Sequence, residues 1–206
     1  MTTSQQSAKQ SWNRGWIIGP KPPLKPRHIW AIRTRLQHDG HIPDLAMINV
    51  AIHSKLRGCD LVKLRVADIH LGDSMRLQTT IVQQEDRATR AVRGHRADMG
   101  RPHVMVEEAW AACGDWLFPS RSHPGDHVTT RQYSRIVDTW VALAGLDSAA
   151  HGTYSMRRTN VALVYKRTGN LRACQLLLGH SKLESTVRYL GIEVDDALVL
   201  SEQTDL

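Results

Sequence analysis

Apolar residues recur at every third or fourth position along most of the chain, which is typical of helices with one buried face. Several of these stretches stop at glycine, the residue that commonly follows a helix C-terminus. The pattern predicts helices over residues 29–36, 45–56, 107–112, 130–144, 155–168, 171–178 and 182–189. After the second helix, Asp60 is predicted to cap a short turn over residues 61–64.

Two shorter stretches have the composition of strands. Residues 76–84 are rich in threonine, isoleucine and valine, and residues 102–106 are the predicted antiparallel partner. In the segment between them, residues 85–101, arginine recurs every third position. That spacing also suits one side of a helical turn. Because like charges so close together repel each other unless a polyanion lies against them, we favour a basic loop.

These elements predict an α+β fold that is mostly helical, with one small antiparallel sheet. Residues 1–26 are polar and contain four prolines, and we interpret them as an extended, partly disordered arm. Residues 27–192 show no internal boundary or repeat and are predicted to form a single domain. Residues 193–206 are interpreted as a C-terminal tail, in which residues 194–198 are acidic and amphipathic.

The charge of the chain indicates a polyanionic partner. Its 27 basic residues outnumber its 20 acidic ones, for a formal net charge of +7. Most of the basic residues are arginines, whose planar guanidinium grips a phosphate through two hydrogen bonds where lysine offers a point charge. A purely structural helical protein would have no need of this excess.

Cysteine usage and hydropathy indicate the compartment. The three cysteines, Cys59, Cys113 and Cys174, are scattered and form no CxxC pair, which favours reduced thiols. The N-terminus lacks the apolar core of a signal peptide, and no apolar run approaches the ~18 residues of a membrane span. We therefore expect a cytoplasmic protein without a membrane partner.

Three residues near the C-terminus, Arg157, His180 and Tyr189, have a spacing that is specific to one kind of site. A Leu-Leu-Leu-Gly run leads into His180, and Tyr189 stands nine residues later. Arg157 lies upstream in a Ser-Met-Arg-Arg-Thr stretch, and Arg57 precedes Gly-Cys-Asp much earlier in the chain. From about residue 22 to residue 190, this set resembles the catalytic residues of the tyrosine recombinase (phage integrase) family.

The resemblance implies a chemistry that needs neither metal nor other cofactor. Tyr189 would be the nucleophile, forming a 3′-phosphotyrosyl link and freeing a 5′-hydroxyl. Arg57 and Arg157 would bind the phosphate, and His180 would donate a hydrogen bond to it. A tyrosine with a pKa around 10 is a poor nucleophile near neutral pH, and guanidinium groups favour its ionised form. Asp60 matches the acidic position after the first arginine, where it would orient its neighbours.

The same resemblance implies a double-stranded DNA partner and a homo-tetramer assembled on that DNA. Arg158 is expected to face solvent or the DNA backbone. The predicted DNA-binding residues are Arg158, Arg96, Arg101, Lys182 and Arg188. Family members commonly carry an N-terminal helical domain that clamps the opposite side of the DNA, and the segment before the first predicted helix is too short for one.

The sequence departs from the family pattern in the residue that begins the second arginine motif. The family usually has histidine three residues before this arginine, whereas Tyr154 stands there and His151 lies three residues earlier still. Tyrosine can donate a hydrogen bond, so Tyr154 joins the predicted catalytic set, but it cannot shuttle a proton near pH 7 as imidazole does.

A second departure concerns the hairpin lysine that serves the family as general acid. No lysine occurs between Lys63 and Lys166. Arg96 or Arg101 could supply positive charge there, yet arginine gives up its proton too reluctantly to be a good acid.

The sequence therefore predicts a site-specific recombinase or integrase that cuts and rejoins DNA. The alternative is a catalytically decayed relative that binds DNA in an accessory or regulatory role. No metal site is expected: His123 and His127 have helical spacing, but the Pro-Gly between them excludes the helix that would aim both at one ion.

Overall fold

The computed structural model describes the backbone of residues 21–71, 74–75, 78–82, 89–93 and 116–191, and the side chains of residues 21–69 and 116–191. Its helices are α1 Pro26–His38, α2 Ile42–Ser54, α3 Gly58–Leu61, α4 Val66–Ile69, α5 Thr130–Leu143, α6 Thr153–Thr168, α7 Leu171–Leu178 and α8 Leu183–Leu190. The mostly helical α+β class is confirmed, and every predicted helix within the described residues is present. The predicted helix over residues 107–112 lies outside them.

Local capping explains where the later helices begin and end. Thr129 accepts a hydrogen bond from the backbone N–H of Gln132 (3.2 Å), and the Gln132 side chain accepts one from the backbone N–H of Thr129 (2.8 Å), which closes a capping box on α5. Asn170 caps α7 through the backbone N–H of Ala173 (2.9 Å). At the end of α7, Gly179 adopts a left-handed conformation with φ of 69°.

The largest apolar core lies where α1, α2 and α5 pack together. Ile32, Ile48, Val137 and Trp140 are fully buried there. The Trp140 indole N–H donates to Asp44 Oδ2 (3.2 Å), so the largest side chain of the core also satisfies its polar atom. A separate, smaller cluster is built from buried side chains of α6 and α7 with partly buried residues of α8.

The strands differ from the predicted pairing. The described residues hold two antiparallel ladders: β1 His70–Leu71 with β2 Ser74–Met75, and β3 Gln78–Val82 with β4 Thr89–Arg93. The expected loop is therefore wrong over residues 89–93, where backbone pairing with β3 outweighs the repulsion between neighbouring arginines. The predicted partner, residues 102–106, lies outside the described residues.

The turn after α2 also differs from the expectation. The helix ends at Ser54 rather than near residue 56, because Lys55 takes a left-handed conformation with φ of 57°. Asp60 does not cap a turn; it lies within α3, whose N-cap residue is Arg57. The left-handed conformation of Lys55 is strained for a residue other than glycine, and backbone strain of this kind concentrates near functional sites.

Residues 21–25, part of the segment interpreted as an arm, pack against the domain. The Leu24 side chain is buried in the large core, and its backbone N–H donates to Thr159 Oγ1 (2.9 Å) on α6. Among the described residues, no helix combines the length and apolar character that a membrane crossing needs.

Candidate active site

Arg157 is the side chain around which the site is built. It points from the first turns of α6 and is only 5% exposed. Its Nε donates to the carbonyl of Lys55 (2.8 Å), and a terminal nitrogen donates to the carbonyl of Leu178 (3.0 Å). The guanidinium therefore joins the turn after α2 to the end of α7, two regions that are far apart in sequence.

The pKa of Arg157 shows which groups surround it. Burial is the main cause that lowers this pKa, and the nearby charge of Arg57 lowers it further. Tyr189, Tyr154 and Asp60 act in the opposite direction, since negative charge on any of them favours the cation. The site thus brings together the residues that the sequence predicted, and a guanidinium stays charged even when it is buried.

Arg57 is the N-cap residue of α3, and it lines the same pocket as Tyr154. The pocket has a volume of ≈ 190 Å³, and its wall includes Arg57, Gly58, Tyr154 and Arg157. Gly58 lies so close to the Tyr133 ring that an added Cβ would approach it to 3.3 Å. This close packing fixes the start of α3, and with it the backbone that carries Arg57.

The turn between α7 and α8 presents His180. The Gln175 side chain donates to the carbonyl of His180 (3.0 Å) and to that of Ser181 (3.2 Å), which holds the turn in shape. The imidazole Nδ1 lies 3.1 Å from Thr186 Oγ1, and Thr186 is fully buried on α8. This pairing fixes the ring plane, because imidazole orientation follows the partner of one of its nitrogens.

Tyr189 lies between that histidine and two arginines. Its ring meets the His180 ring edge-on, with centroids 5.4 Å apart. The guanidinium carbons of Arg157 and Arg158 lie 5.7 Å and 5.9 Å from its centroid, both within cation–π range. The hydroxyl oxygen exposes less than 1 Å² to solvent. The arrangement can stabilise a phenolate and a bound phosphate with the same cations.

Tyr154 and His151 occupy different places. Tyr154 is 65% exposed at the wall of the pocket. His151 belongs to the turn before α6: its Nδ1 pairs with the carbonyl of Asp147 (3.2 Å), and its own carbonyl accepts from Lys21 Nζ (2.9 Å). Tyr154 is therefore the residue of this pair that reaches the pocket.

The predicted DNA-binding residues fall into three groups. Lys182 and Arg188 are exposed at the two ends of α8. Arg96 and Arg101 lie outside the described residues. The expectation that Arg158 faces solvent or a DNA backbone is corrected, since its side chain is 6% exposed and packs against Tyr189.

Sequence reasoning missed the residues that hold the site together. Thr186 could have been suspected from its place one helical turn before Tyr189. Lys21 carried no signal, because its contacts are with residues more than 120 positions away. In residues 21–69 and 116–191, no three histidine, cysteine or acidic side chains gather where a metal ion could bind.

A helical domain that brings two arginines and a histidine onto one tyrosine has the organisation of a tyrosine recombinase catalytic domain. The chain belongs to this family, since the model of the phage integrase family matches residues 26–194. Tyrosine recombinase XerD of Proteus mirabilis is 26% identical over 168 residues, covering 78% of this chain and 51% of XerD. Tyrosine recombinase XerC of Pelobacter propionicus is 28% identical over 159 residues, covering 74% of this chain and 48% of XerC.

Solved structures show the same fold. The XerA recombinase superposes with a TM-score of 0.70 at 17% identity, covering 88% of this chain and 64% of XerA. XerH site-specific recombinase, bound to its difH substrate in a pre-cleavage complex, gives 0.69 at 16% identity, covering 89% of this chain and 54% of XerH. The chain spans about half the length of the curated relatives it matches.

Proposed function

We propose that this chain is the catalytic part of a site-specific DNA recombinase that cuts and rejoins duplex DNA through Tyr189. The observation that carries the proposal is the convergence of Arg157, Arg158 and His180 on the Tyr189 ring, beside a pocket lined by Arg57 and Arg157. Because its proposed substrate is DNA, we expect it to act in the cytoplasm.

The proposed cleavage step is a transfer of a phosphoryl group between two oxygens. Tyr189 Oη attacks the phosphorus and loses its proton; the new Oη–P bond forms as the P–O5′ bond breaks, and the 5′-oxygen takes up a proton. Arg57 and Arg157 neutralise the charge that develops on the phosphate in the transition state. Nothing is oxidised or reduced, and the phosphotyrosyl bond keeps the energy needed for religation.

The proton for the leaving 5′-oxygen needs a donor. Tyr154 is the exposed hydroxyl at the pocket wall and is suited to donate a hydrogen bond to the phosphate. The described residues place no lysine in the wall of this pocket. Arg96 and Arg101 stay predictions for this position. We therefore expect cleavage to be slow, since general acid help contributes typically about 10² to 10⁴ in rate.

A non-cleaving DNA-binding protein is the second candidate. The burial of the Tyr189 hydroxyl favours it, because a phosphate must reach that oxygen before it can be attacked. The exposed Tyr154 in place of a histidine also favours it. The two candidates differ in whether a covalent bond to DNA forms, and both require salt-sensitive binding.

Covalent trapping on nicked suicide duplexes tests the proposal. The protein is incubated with a random-sequence duplex library and with duplexes carrying the difH site bound by XerH, then denatured and resolved for a protein–DNA adduct. Tyr189→Phe should abolish the adduct, whereas Tyr165→Phe, a matched control in the same apolar cluster, should retain it. Tyr154→Phe should slow adduct formation without abolishing it.

The possible outcomes distinguish the two candidates, and one of them excludes both. An adduct that disappears only in Tyr189→Phe supports the recombinase. No adduct, with binding that weakens steeply between 50 and 200 mM salt, identifies the non-cleaving protein. If the protein forms no adduct and does not bind DNA, both candidates are contradicted. The proposed homo-tetramer is tested by the mass of the DNA complex, where one or two protein copies per duplex pair would contradict it.

A further inference from the structure

We propose that Arg158 is a positioning residue: it holds the Tyr189 ring and anchors that ring to the backbone of Lys21. The inference rests on the proposed function, in which Tyr189 is the nucleophile. It assigns Arg158 a task inside the protein, in place of the phosphate contact that its position in the sequence predicts.

The first support is the contact between Arg158 and the nucleophile. The guanidinium carbon lies 5.9 Å from the Tyr189 ring centroid, and the side chain is 6% exposed. Burial lowers the pKa of Arg158, and Tyr189 acts against this, because negative charge on the phenol oxygen attracts the cation. Arg158 therefore adds to the attraction that Arg157 exerts on the same ring.

The second support is the backbone beyond α8. An added Cβ on Gly191 would lie 2.7 Å from a terminal nitrogen of Arg158, so the guanidinium would have to move to make room for it. Gly191 also has a φ of 65°, which other residues rarely adopt. The end of the helix that carries Tyr189 thus packs directly on the Arg158 guanidinium.

The third support is the anchor on the other side. A terminal nitrogen of Arg158 donates to the carbonyl of Lys21 (3.0 Å). Lys21 is fixed in turn, because its Nζ donates to the carbonyls of His151 (2.9 Å) and Ser148 (3.3 Å). Three residues later, the Leu24 N–H donates to Thr159 Oγ1, next to Arg158 on α6. Arg158 therefore links residues 21–24 to α8, a helix in which Thr186 is the single buried residue.

These contacts distinguish Arg158 from the two phosphate-binding arginines. Arg57 and Arg157 both line the ≈ 190 Å³ pocket, whereas Arg158 is absent from the described residues of its wall. Arginine suits this internal role because its planar group combines hydrogen bonding at the edge with packing on an aromatic ring. A lysine would keep the charge but lose that combination.

The test measures Tyr189 directly, without DNA. Protein carrying ¹³C-labelled tyrosine is titrated by NMR, with the Tyr189 signal assigned from Tyr189→Phe. In the described part of the chain, the charged and titratable groups near this ring include Arg157, Arg158, His180 and, in the apolar cluster beside it, Cys174. Arg158→Met should move the Tyr189 titration midpoint to higher pH, and Arg158→Lys should restore part of the change. Arg167→Met, an exposed arginine on the same helix, should leave it unchanged.

Adduct formation and DNA binding complete the test. For Arg158→Met we expect adduct formation about tenfold slower near neutral pH, recovering as pH rises, because the neutral side chain no longer favours the phenolate. Affinity for duplex DNA should stay within about twofold, as expected when no phosphate contact is lost.

Three results would overturn the proposal. They are an unmoved Tyr189 midpoint in folded Arg158→Met, a loss of DNA affinity with the midpoint unmoved, and equal behaviour of Arg158→Met and Arg167→Met. If Arg158→Met does not fold, Arg158→Lys is compared with wild type instead and should give a smaller shift in the same direction. If the wild-type chain forms no adduct, the proposed function fails, while the NMR titration still decides whether Arg158 holds the ring.

Discussion

The two apolar clusters differ in size and in the candidate catalytic residues that lie next to them. The large core joins α1, α2, α3 and α5, and it includes Leu56 and Met156, the neighbours of Arg57 and Arg157. The small cluster has three fully buried side chains, with Tyr189 among those that only partly pack on it. Within α8, Thr186 is the single buried residue. Arg57 and Arg157 therefore adjoin side chains of the main core, whereas Tyr189, the proposed nucleophile, lies on a helix with one buried residue.

The proposed phosphate-binding arginines and the proposed nucleophile therefore have separate structural supports. In a large core each side chain contacts many others, so its position is fixed by many contacts at once. A short helix with one buried residue depends on a few polar contacts, and it is the kind of element that opens locally before the whole domain unfolds. Changes in the two clusters should therefore have different consequences for Tyr189.

The largest effect is expected in the main core. Ile48→Ala removes a fully buried side chain on α2 and should lower the free energy of unfolding by about 3 to 4 kcal/mol. Denaturant unfolding measures the loss, and hydrogen exchange should speed up throughout the described helices. Leu143→Ala, at a side chain that is 38% exposed on α5, is the control and should cost below about 1 kcal/mol.

A smaller and more local effect is expected in the second cluster. Leu178→Ala removes a side chain that is 1% exposed and should cost about 2 to 3 kcal/mol. Because α8 rests on this cluster, faster hydrogen exchange should be confined to α7 and α8, and the Tyr189 NMR signal should broaden. Equal acceleration in α1 and α2 would show that the two clusters unfold as one unit.

Tyr133 should make the main core sensitive to alkali. Burial raises the pKa of its phenol, so the folded protein favours the neutral form. The stabilising contribution is complete below the unfolded-state pKa of about 10 and is lost as pH rises above it, by about 1.4 kcal/mol per pH unit. Unfolding curves between pH 9 and 11 should show this loss in wild type and a shallower one in Tyr133→Phe. Identical slopes would contradict the assignment to Tyr133.

The smallest effect is expected from Thr186→Val, which keeps the side-chain shape and removes the hydroxyl that pairs with His180 Nδ1. The loss of one hydrogen bond should cost about 1 kcal/mol. The imidazole signals of His180 should shift, and adduct formation should slow while DNA affinity is retained. Ser185→Ala, at an exposed position beside it, should change neither measurement.

Helical periodicity and the spacing of a few polar residues could be recognised from the sequence. The helix α7 has the predicted bounds of residues 171–178, because local capping by Asn170 and Gly179 sets both ends. The pairing of β3 with β4 does not follow from the sequence, because the arginine spacing over residues 89–93 indicates a charge pattern and not a strand. Strand pairing depends on a partner elsewhere in the chain, which single-segment propensity does not contain.

Local periodicity in the sequence was enough to predict the helical architecture, and the resemblance to one family supplied the candidate set of Arg57, Arg157, His180 and Tyr189. The packed structure was needed to show that Arg158 points inward onto Tyr189, and that Lys21 and the end of α8 meet on its guanidinium. Adjacent arginines on a helix have the same local propensity, so the sequence cannot tell which faces solvent. Their roles follow from long-range contacts that exist only after α6, α8 and the segment before α1 have packed together.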